Sequence, residues 1–256
     1  MAEREPVLRA ILLGASNLRA GLPIVVDGVR RRAGGPVEVL AACGHGRSYG
    51  GWSLFLFVRR LPGIVGCGLW QDLAERPALP TFALLTDIGN DLVYGVRVEE
   101  IAAWVKTCLD RLSRHQAEIV LTLLPVARLQ RLSAWQVRLV TSVLFPGRPA
   151  PWPDLLDRAL ELNERLQRMG QEYGVRLVEP AADWYGIDPI HLRRGIRGEA
   201  WDRVLSHSSL GASTGPAAAR IPLLSFGAKE IHLFGFHLHT PQPAASLAEG
   251  TTVSLY

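Results

Sequence analysis

Residues 7–17 read Val7-Leu8-Arg9-Ala10-Ile11-Leu12-Leu13-Gly14-Ala15-Ser16-Asn17, and this stretch decides the fold. Val7 to Leu13 is an apolar run broken only by Arg9, short enough for a buried strand. Leu22 to Arg32 follows as a helix with an apolar stripe and arginines on the other face. Gly14 permits a sharp turn between the two. A serine on such a turn lies at the carboxyl edge of a sheet, beside a helix N-terminus where developing negative charge is favoured. Ser16 is therefore a candidate nucleophile. Taken alone, its plainer reading is a polar residue capping a helix.

A chain of 256 residues buries about 70–75% of the surface its unfolded form exposes, enough for one sizeable core. Its 48% hydrophobic and 20% charged residues indicate a soluble globular protein. The net charge of +4 is carried almost wholly by arginine, with lysine only at positions 106 and 229. The arginines are dispersed and form no basic, aromatic-interleaved patch, so nucleic acid is not an expected partner. Cys43, Cys67 and Cys108 have no metal or redox spacing, and their odd number argues against a disulfide framework. No signal-peptide pattern and no bilayer-length apolar run is evident, so a cytoplasmic location without integral membrane contact is the expectation.

Outward from the first turn, strand and helix signals alternate, which implies parallel strands joined by helical crossovers. Val37 to Ala42 is a second strand, followed by the glycine-rich loop Gly44-His45-Gly46-Arg47-Ser48-Tyr49-Gly50-Gly51. Trp52 to Arg60 and Ile64 to Arg76 read as helical pieces broken at Pro62-Gly63. A third strand, Thr81 to Asp87, runs into Ile88-Gly89-Asn90-Asp91. A helix over Glu99 to His115 and a strand over Glu118 to Leu124 follow. Residues 128–153 are irregular; their centre, Ser133 to Phe145, suits an amphipathic helix, either a lid on the sheet edge or a surface loop. Asp154 to Tyr173 is a long helix, Val175 to Glu179 a fifth strand and Gly195 to Ser206 a last helix.

One domain over residues 1–206 is expected, with 207–256 as a C-terminal extension. Ile231 to His239 and Thr251 to Tyr256 look like strands within it. They could form a hairpin or extend a sheet edge, in this chain or in a second subunit, so an oligomer through the extension stays open.

Chemistry-bearing residues gather at the strand ends. Asp188-Pro189-Ile190-His191 lies just past the fifth strand, and side chains three apart on one turn face the same way. An aspartate so placed can accept from imidazole Nδ1–H and leave Nε2 free as a base. An ordinary polar loop is the plainer alternative. Asn90 could donate a side-chain N–H to an oxyanion, with a main-chain N–H of the Gly44–Gly51 loop as a second donor. His237 and His239 share a face of the expected tail strand, with His232 of opposite parity, but a third ligand is not evident and no metal is expected. Tyr49, Trp52, Trp184 and Tyr185 flank the strand ends; they are core residues or the lining of an acyl or sugar pocket.

Ser16, a glycine loop, Asn90 and Asp188/His191 thus follow successive strand edges, and at this point the chain resembles the SGNH, or GDSL-type, hydrolase family over roughly residues 7–206. Asn163-Glu-Arg-Leu and Gly174-Val-Arg-Leu-Val also look like that family's helix and strand ahead of its Asp-x-x-His. The resemblance implies an α/β/α sandwich of three layers, with a flavodoxin-like parallel sheet of five strands in the order 2-1-3-4-5. It makes Ser16 the nucleophile and Asp188 and His191 its partners. The oxyanion hole is implied at Ser16, Gly46 and Asn90, with Gly44 and Gly50 as alternative registers. No cofactor is implied. Two departures stand out. Ala15 replaces the family's usual aspartate before the serine, and Gly89 directly precedes Asn90 where the family reads Gly-x-Asn-Asp.

The expected activity is hydrolysis of a carboxylic ester, through an acyl-enzyme, on a small-molecule, lipid or carbohydrate substrate. Acyl transfer from the same site is the alternative within that chemistry, and a non-catalytic binding protein of the same fold is the alternative outside it. A nucleotide-binding role fits poorly, because the Gly44–Gly51 loop matches neither a P-loop nor a dinucleotide fingerprint.

Overall fold

The computed structural model describes residues 5–55, 59–133, 135–137, 152–213, 227–247 and 250–256. The expectation of a lid or helix within 128–153 falls largely on residues outside that set.

The main sheet is built on β1 (Leu8–Leu13), β2 (Val37–Ala42), β5 (Thr81–Leu85), β6 (Glu118–Thr122) and β7 (Arg176–Val178). These five run parallel in the spatial order β2-β1-β5-β6-β7, the order that the family resemblance implied. The sheet nevertheless has seven strands, not five. β11 (Thr252–Leu255) lies parallel on β2, and β10 (Ala245–Ser246) pairs antiparallel outside it. The tail therefore adds to the edge of this chain's own sheet, where Val253 and Leu255 are fully or almost fully buried.

Both faces of the sheet are covered, which is why its strands are apolar throughout rather than alternating. Ala10 and Leu12 of β1 face α1 (Ser16–Ala33) and α7 (Arg197–Leu205), together with Leu22, Val25 and Trp201. Ile11 and Leu13 face the other way, toward α2 (Leu69–Glu75), α4 (Val98–Arg114) and α6 (Trp152–Tyr173). Two short helices, α3 (Asn90–Val93) and α5 (Val126–Leu129), complete the set that the site uses. The α1–α7 contact is close because position 21 is glycine: a Cβ there would lie 2.0 Å from Trp201 Nε1.

Arg9, the anomaly in the first strand, has a direct explanation. It sits opposite Glu38 in the parallel register, and Arg9 Nε donates to Glu38 Oε2 at 2.5 Å with both groups buried. Arg76 closes on the other oxygen of the same carboxylate.

The segment read as helix from Trp52 to Arg60 is not helical. It supplies β3 (Ser53–Phe55) and β4 (Arg59–Leu61), which join a second, four-stranded sheet in the order β3-β4-β8-β9. Ser-Leu-Phe of β3 is apolar and aromatic and suits a pleated surface; β3 pairs with the neighbouring β4, and the next partner of β4 lies far away in sequence. That partner is β8 (Glu230–Leu233), which turns at Phe234-Gly235 into β9 (Phe236–His239). Both turn residues have positive φ, 50° and 86°, so the expected single strand folds back as a hairpin. His232 is then the cross-strand partner of His237, their rings 4.8 Å apart on one face of the hairpin, where opposite faces were expected.

Candidate active site

Ser16 is the first residue of α1, immediately past the end of β1, and is only 7% exposed. Gly14 N–H still donates to the Ala42 carbonyl, so the turn begins while the chain is paired to β2. Ala15, at the N-cap, offers no side-chain oxygen to the helix. The acceptor comes from the next strand. Asp87 Oδ2 accepts from Ala15 N–H at 2.8 Å and from Leu18 N–H at 3.1 Å. Asp87 itself has φ 59°, a conformation that aspartate tolerates better than most residues.

Both sequence departures have a local structural counterpart. Gly89, which appeared displaced, has ordinary right-handed helical geometry (φ −65°), and the left-handed position of the segment is Asp87. A carboxylate absent from position 15 is thus presented to the same turn from position 87.

The Asp188–His191 segment is closed at its base by a bridge between Tyr185 and Leu192. Asp188 Oδ1 accepts from the main-chain N–H groups of Ile190, at 2.8 Å, and His191, at 3.2 Å. Its Oδ2 lies 2.6 Å from His191 Nδ1. Burial works against the charged form of Asp188. The hydrogen bonds from His191 and the Ile190 N–H outweigh it and hold this carboxyl below the usual aspartate range. The same hydrogen bond to Asp188 raises the His191 imidazole above its ordinary value, against partial burial. With Nδ1–H committed to Asp188, Nε2 is the nitrogen available to take a proton.

Asn17 ties this segment to the serine turn. Its Nδ2 donates to the Ile190 carbonyl at 2.9 Å and to Asp87 Oδ1 at 2.9 Å, while its Oδ1 accepts from Leu192 N–H at 2.9 Å.

The glycine loop is fixed from several sides. Gly46 has φ 67°, and its carbonyl accepts from the Tyr94 hydroxyl at 3.0 Å. A Cβ at position 46 would come within 2.7 Å of that hydroxyl. Arg47, fully buried, donates to the Pro62 carbonyl and to the carbonyl of Tyr256. Its own carbonyl accepts from Asn90 Nδ2 at 3.1 Å. Asp91, also fully buried, accepts from Tyr49 N–H at 2.8 Å, and burial pushes its carboxyl up.

Ser16, Asn17, Asp87, Asn90, Tyr185, Pro189 and Ile190 line one open cleft with a volume of about 100 Å³. The rest of its wall is largely apolar, with Ile88, Leu92, Val93, Leu124, Leu129 and Leu155 among the lining residues. Of the four aromatics singled out in the sequence, Tyr185 alone lines this cleft. Tyr49 is fully buried with its hydroxyl donated to the Thr86 carbonyl, and Trp184 packs in the core beneath α1 and α7. Trp52 is 55% exposed, and its ring lies 4.7 Å from that of His232 of the second sheet, tilted by 51°. Among the described residues, no group of three or more histidine, cysteine, aspartate or glutamate side chains is arranged to hold a metal ion. No described helix is long and apolar enough to cross a membrane.

Asn17, Asp87, Arg47 and Tyr94 were not singled out in the sequence. Only Asp87 left a trace there, as a charged residue where an apolar strand ends.

No protein-family model matches the chain, and no curated protein sequence matches it. Solved structures do. The crystal structure of TesA is 14% identical, with a TM-score of 0.50, over 78% of this chain and 97% of that one. An inhibitor-bound aryl esterase of M. smegmatis is 13% identical (TM-score 0.49), over 77% of this chain and 97% of the other. The psychrotrophic esterase EstA of Pseudoalteromonas sp. is 11% identical (TM-score 0.48), over 78% and 95%. The fold is the SGNH/GDSL-type hydrolase fold expected from the sequence.

Proposed function

We propose that the chain is a serine hydrolase of carboxylic esters that works through an acyl-enzyme. The observation that carries this reading is the cleft itself. Ser16, Asn90 and the turn bearing the Asp188–His191 pair border one largely apolar pocket, and His191 Nδ1 is held 2.6 Å from Asp188.

In this reading Ser16 Oγ attacks the ester carbonyl carbon while His191 Nε2 takes its proton. Asp188 stabilises the imidazolium that forms. The carbonyl oxygen becomes an oxyanion, held by the N–H groups of Ser16 and Gly46 and by the Asn90 amide. His191 then protonates the leaving alcohol as the C–O bond breaks, and an acyl-Ser16 ester remains. Water, deprotonated by His191, attacks that ester and releases the acid and the free serine. The apolar wall favours an ester whose acyl or alcohol part is itself apolar, because burying it there removes apolar surface from water.

The test is labelling by a fluorophosphonate, which phosphonylates an activated serine, run beside hydrolysis of p-nitrophenyl esters of increasing chain length. Wild-type protein should be labelled and active. Ser16→Ala should lose labelling and about 10⁴-fold or more in kcat while keeping its fold. Esterase activity retained in a folded Ser16→Ala protein would end this reading.

A further inference from the structure

The geometry points to Asn17 and Asp87 as a pair of positioning residues that hold the base-bearing segment against the nucleophile turn. This inference rests on the serine-hydrolase reading of the same site. Five hydrogen bonds converge on the two side chains. Asp87 spends one oxygen on the N–H groups of Ala15 and Leu18, which flank Ser16 and Asn17. Its other oxygen receives Asn17 Nδ2. Asn17, directly after the nucleophile, reaches Ile190 on one side of His191 and Leu192 on the other. The residue before His191 and the residue after it are thus both fixed to the residue after Ser16.

The chemistry of the two side chains fits this task and little else at these positions. Position 17 must donate to two acceptors, a carboxylate and a carbonyl, and accept from one N–H. A primary amide does all three. Aspartate there would lose both donors and set a second carboxylate against Asp87. Position 87 must accept on both oxygens at a left-handed backbone, which aspartate satisfies. Asn17 is only 8% exposed, so its bonds meet little competition from water. Reacting groups displaced by about 1 Å lose about 10²-fold in rate, which sets the size of the effect expected when this clamp is opened.

The experiment compares wild type, Asn17→Ala, Asp87→Asn and the double variant. For each, kcat and KM on a p-nitrophenyl ester, the rate of fluorophosphonate labelling, the pH profile and the melting temperature are measured. Asp87→Asn is the mild variant. It keeps an acceptor for the Ala15 and Leu18 N–H groups and tolerates the backbone, but it sets an amide donor against the Asn17 donor. Each single variant should lose about 10²-fold in kcat, with KM little changed and labelling slowed in parallel. The pH limb should stay in place in Asn17→Ala, because Asp188 and His191 travel together on one segment, and should move to lower pH in Asp87→Asn, because the Asp87 charge also favours the protonated imidazole. The double variant should be no worse than Asn17→Ala alone, as expected for residues acting through one contact.

A folded Asn17→Ala or Asp87→Asn protein with wild-type kcat and labelling, whatever its melting temperature, overturns the positioning role and leaves the hydrolase reading standing. If Asn17→Ala does not fold, Asp87→Asn decides by the same criterion. Wild-type protein that neither cleaves esters nor takes the label overturns the hydrolase reading, and this inference falls with it.

Discussion

The Asn90 side-chain amide donates to the main-chain carbonyl of Arg47 at 3.1 Å, linking the end of β5 to the glycine loop after β2. Arg47 is in turn anchored through its buried guanidinium to the carbonyls of Pro62 and Tyr256. Asn90 and the loop carrying Gly46 are therefore braced by one buried arginine and by Tyr256, just past the tail strand, whose carbonyl its guanidinium reaches. Arg47→Ala should leave buried carbonyls without a donor and lower stability by about 2–3 kcal/mol. For a chain of this size that is a fall of about 5–10 °C in melting temperature. Arg47→Lys should recover little, since an ammonium lacks the planar fork that serves two carbonyls at once. Thermal unfolding of both variants checks this; an unchanged Tm in Arg47→Ala counts against the anchor.

Asn90 has two roles that can be separated. As an oxyanion donor it acts only where charge develops, so Asn90→Ala should lower kcat by about 10²–10³-fold with little change in KM. Asn90→Asp should do at least as badly, because it places a carboxylate acceptor where a donor is needed. If its bond to the Arg47 carbonyl is its whole contribution, both variants should lose about 1 kcal/mol of stability and keep kcat. Tm and kcat measured on the same two proteins decide.

The pH profile follows from the His191–Asp188 contact. His191 must be neutral to accept a proton, so kcat/KM should rise with pH along a limb centred above about 6.5, the unperturbed histidine value. The limb lies above that value because Asp188 favours the charged imidazole. Asp188→Asn removes that effect and should move the limb to lower pH. The plateau rate should fall at the same time, up to about 10⁴-fold, because the imidazole loses its fixed tautomer. A limb that moves upward in Asp188→Asn would contradict the assignment. The stability linkage has the opposite sense. A raised folded pKa contributes stability that is complete below the unfolded value and fades as pH rises through the folded one. Asp188, lowered by folding, contributes stability above its unfolded value and loses it as pH falls through the folded one.

Glu38 holds the first two strands together through Arg9 and Arg76. Glu38→Gln should lower stability by about 3–5 kcal/mol, since it leaves the buried Arg9 guanidinium without its counter-charge. Replacing the pair together, Arg9→Met with Glu38→Leu, should recover most of that loss, because well-packed apolar residues often substitute for a buried ion pair at little cost. Chemical denaturation of the single and double variants measures both values; a Glu38→Gln protein as stable as wild type would show that the pair carries no net stability.

The sequence by itself determined the alternation of strands and helices and the positions of Ser16, Asn90, Asp188 and His191 at strand ends; the order of the five central strands came from the family resemblance. The alternation and those positions are local: each depends on a hydrophobic period, a glycine turn or a spacing of three within one short window. Tertiary structure alone decided the rest, because each remaining feature is a contact between distant segments. Residues 59–61 become strand instead of helix as β4 pairs with the distant β8, with Arg60 opposite His232, and β3 then pairs on β4. The tail joins the main sheet because Val253 falls in register with Val39. The absence of an acid at position 15 looked like a defect in a motif; Asp87, 72 residues away, supplies the acceptor. Asn17 read as an unremarked neighbour of the serine, and its bonds span 173 and 175 residues to either side of His191. Periodicity reports which face of an element is buried, but a hydrogen bond between side chains that far apart leaves no period to read.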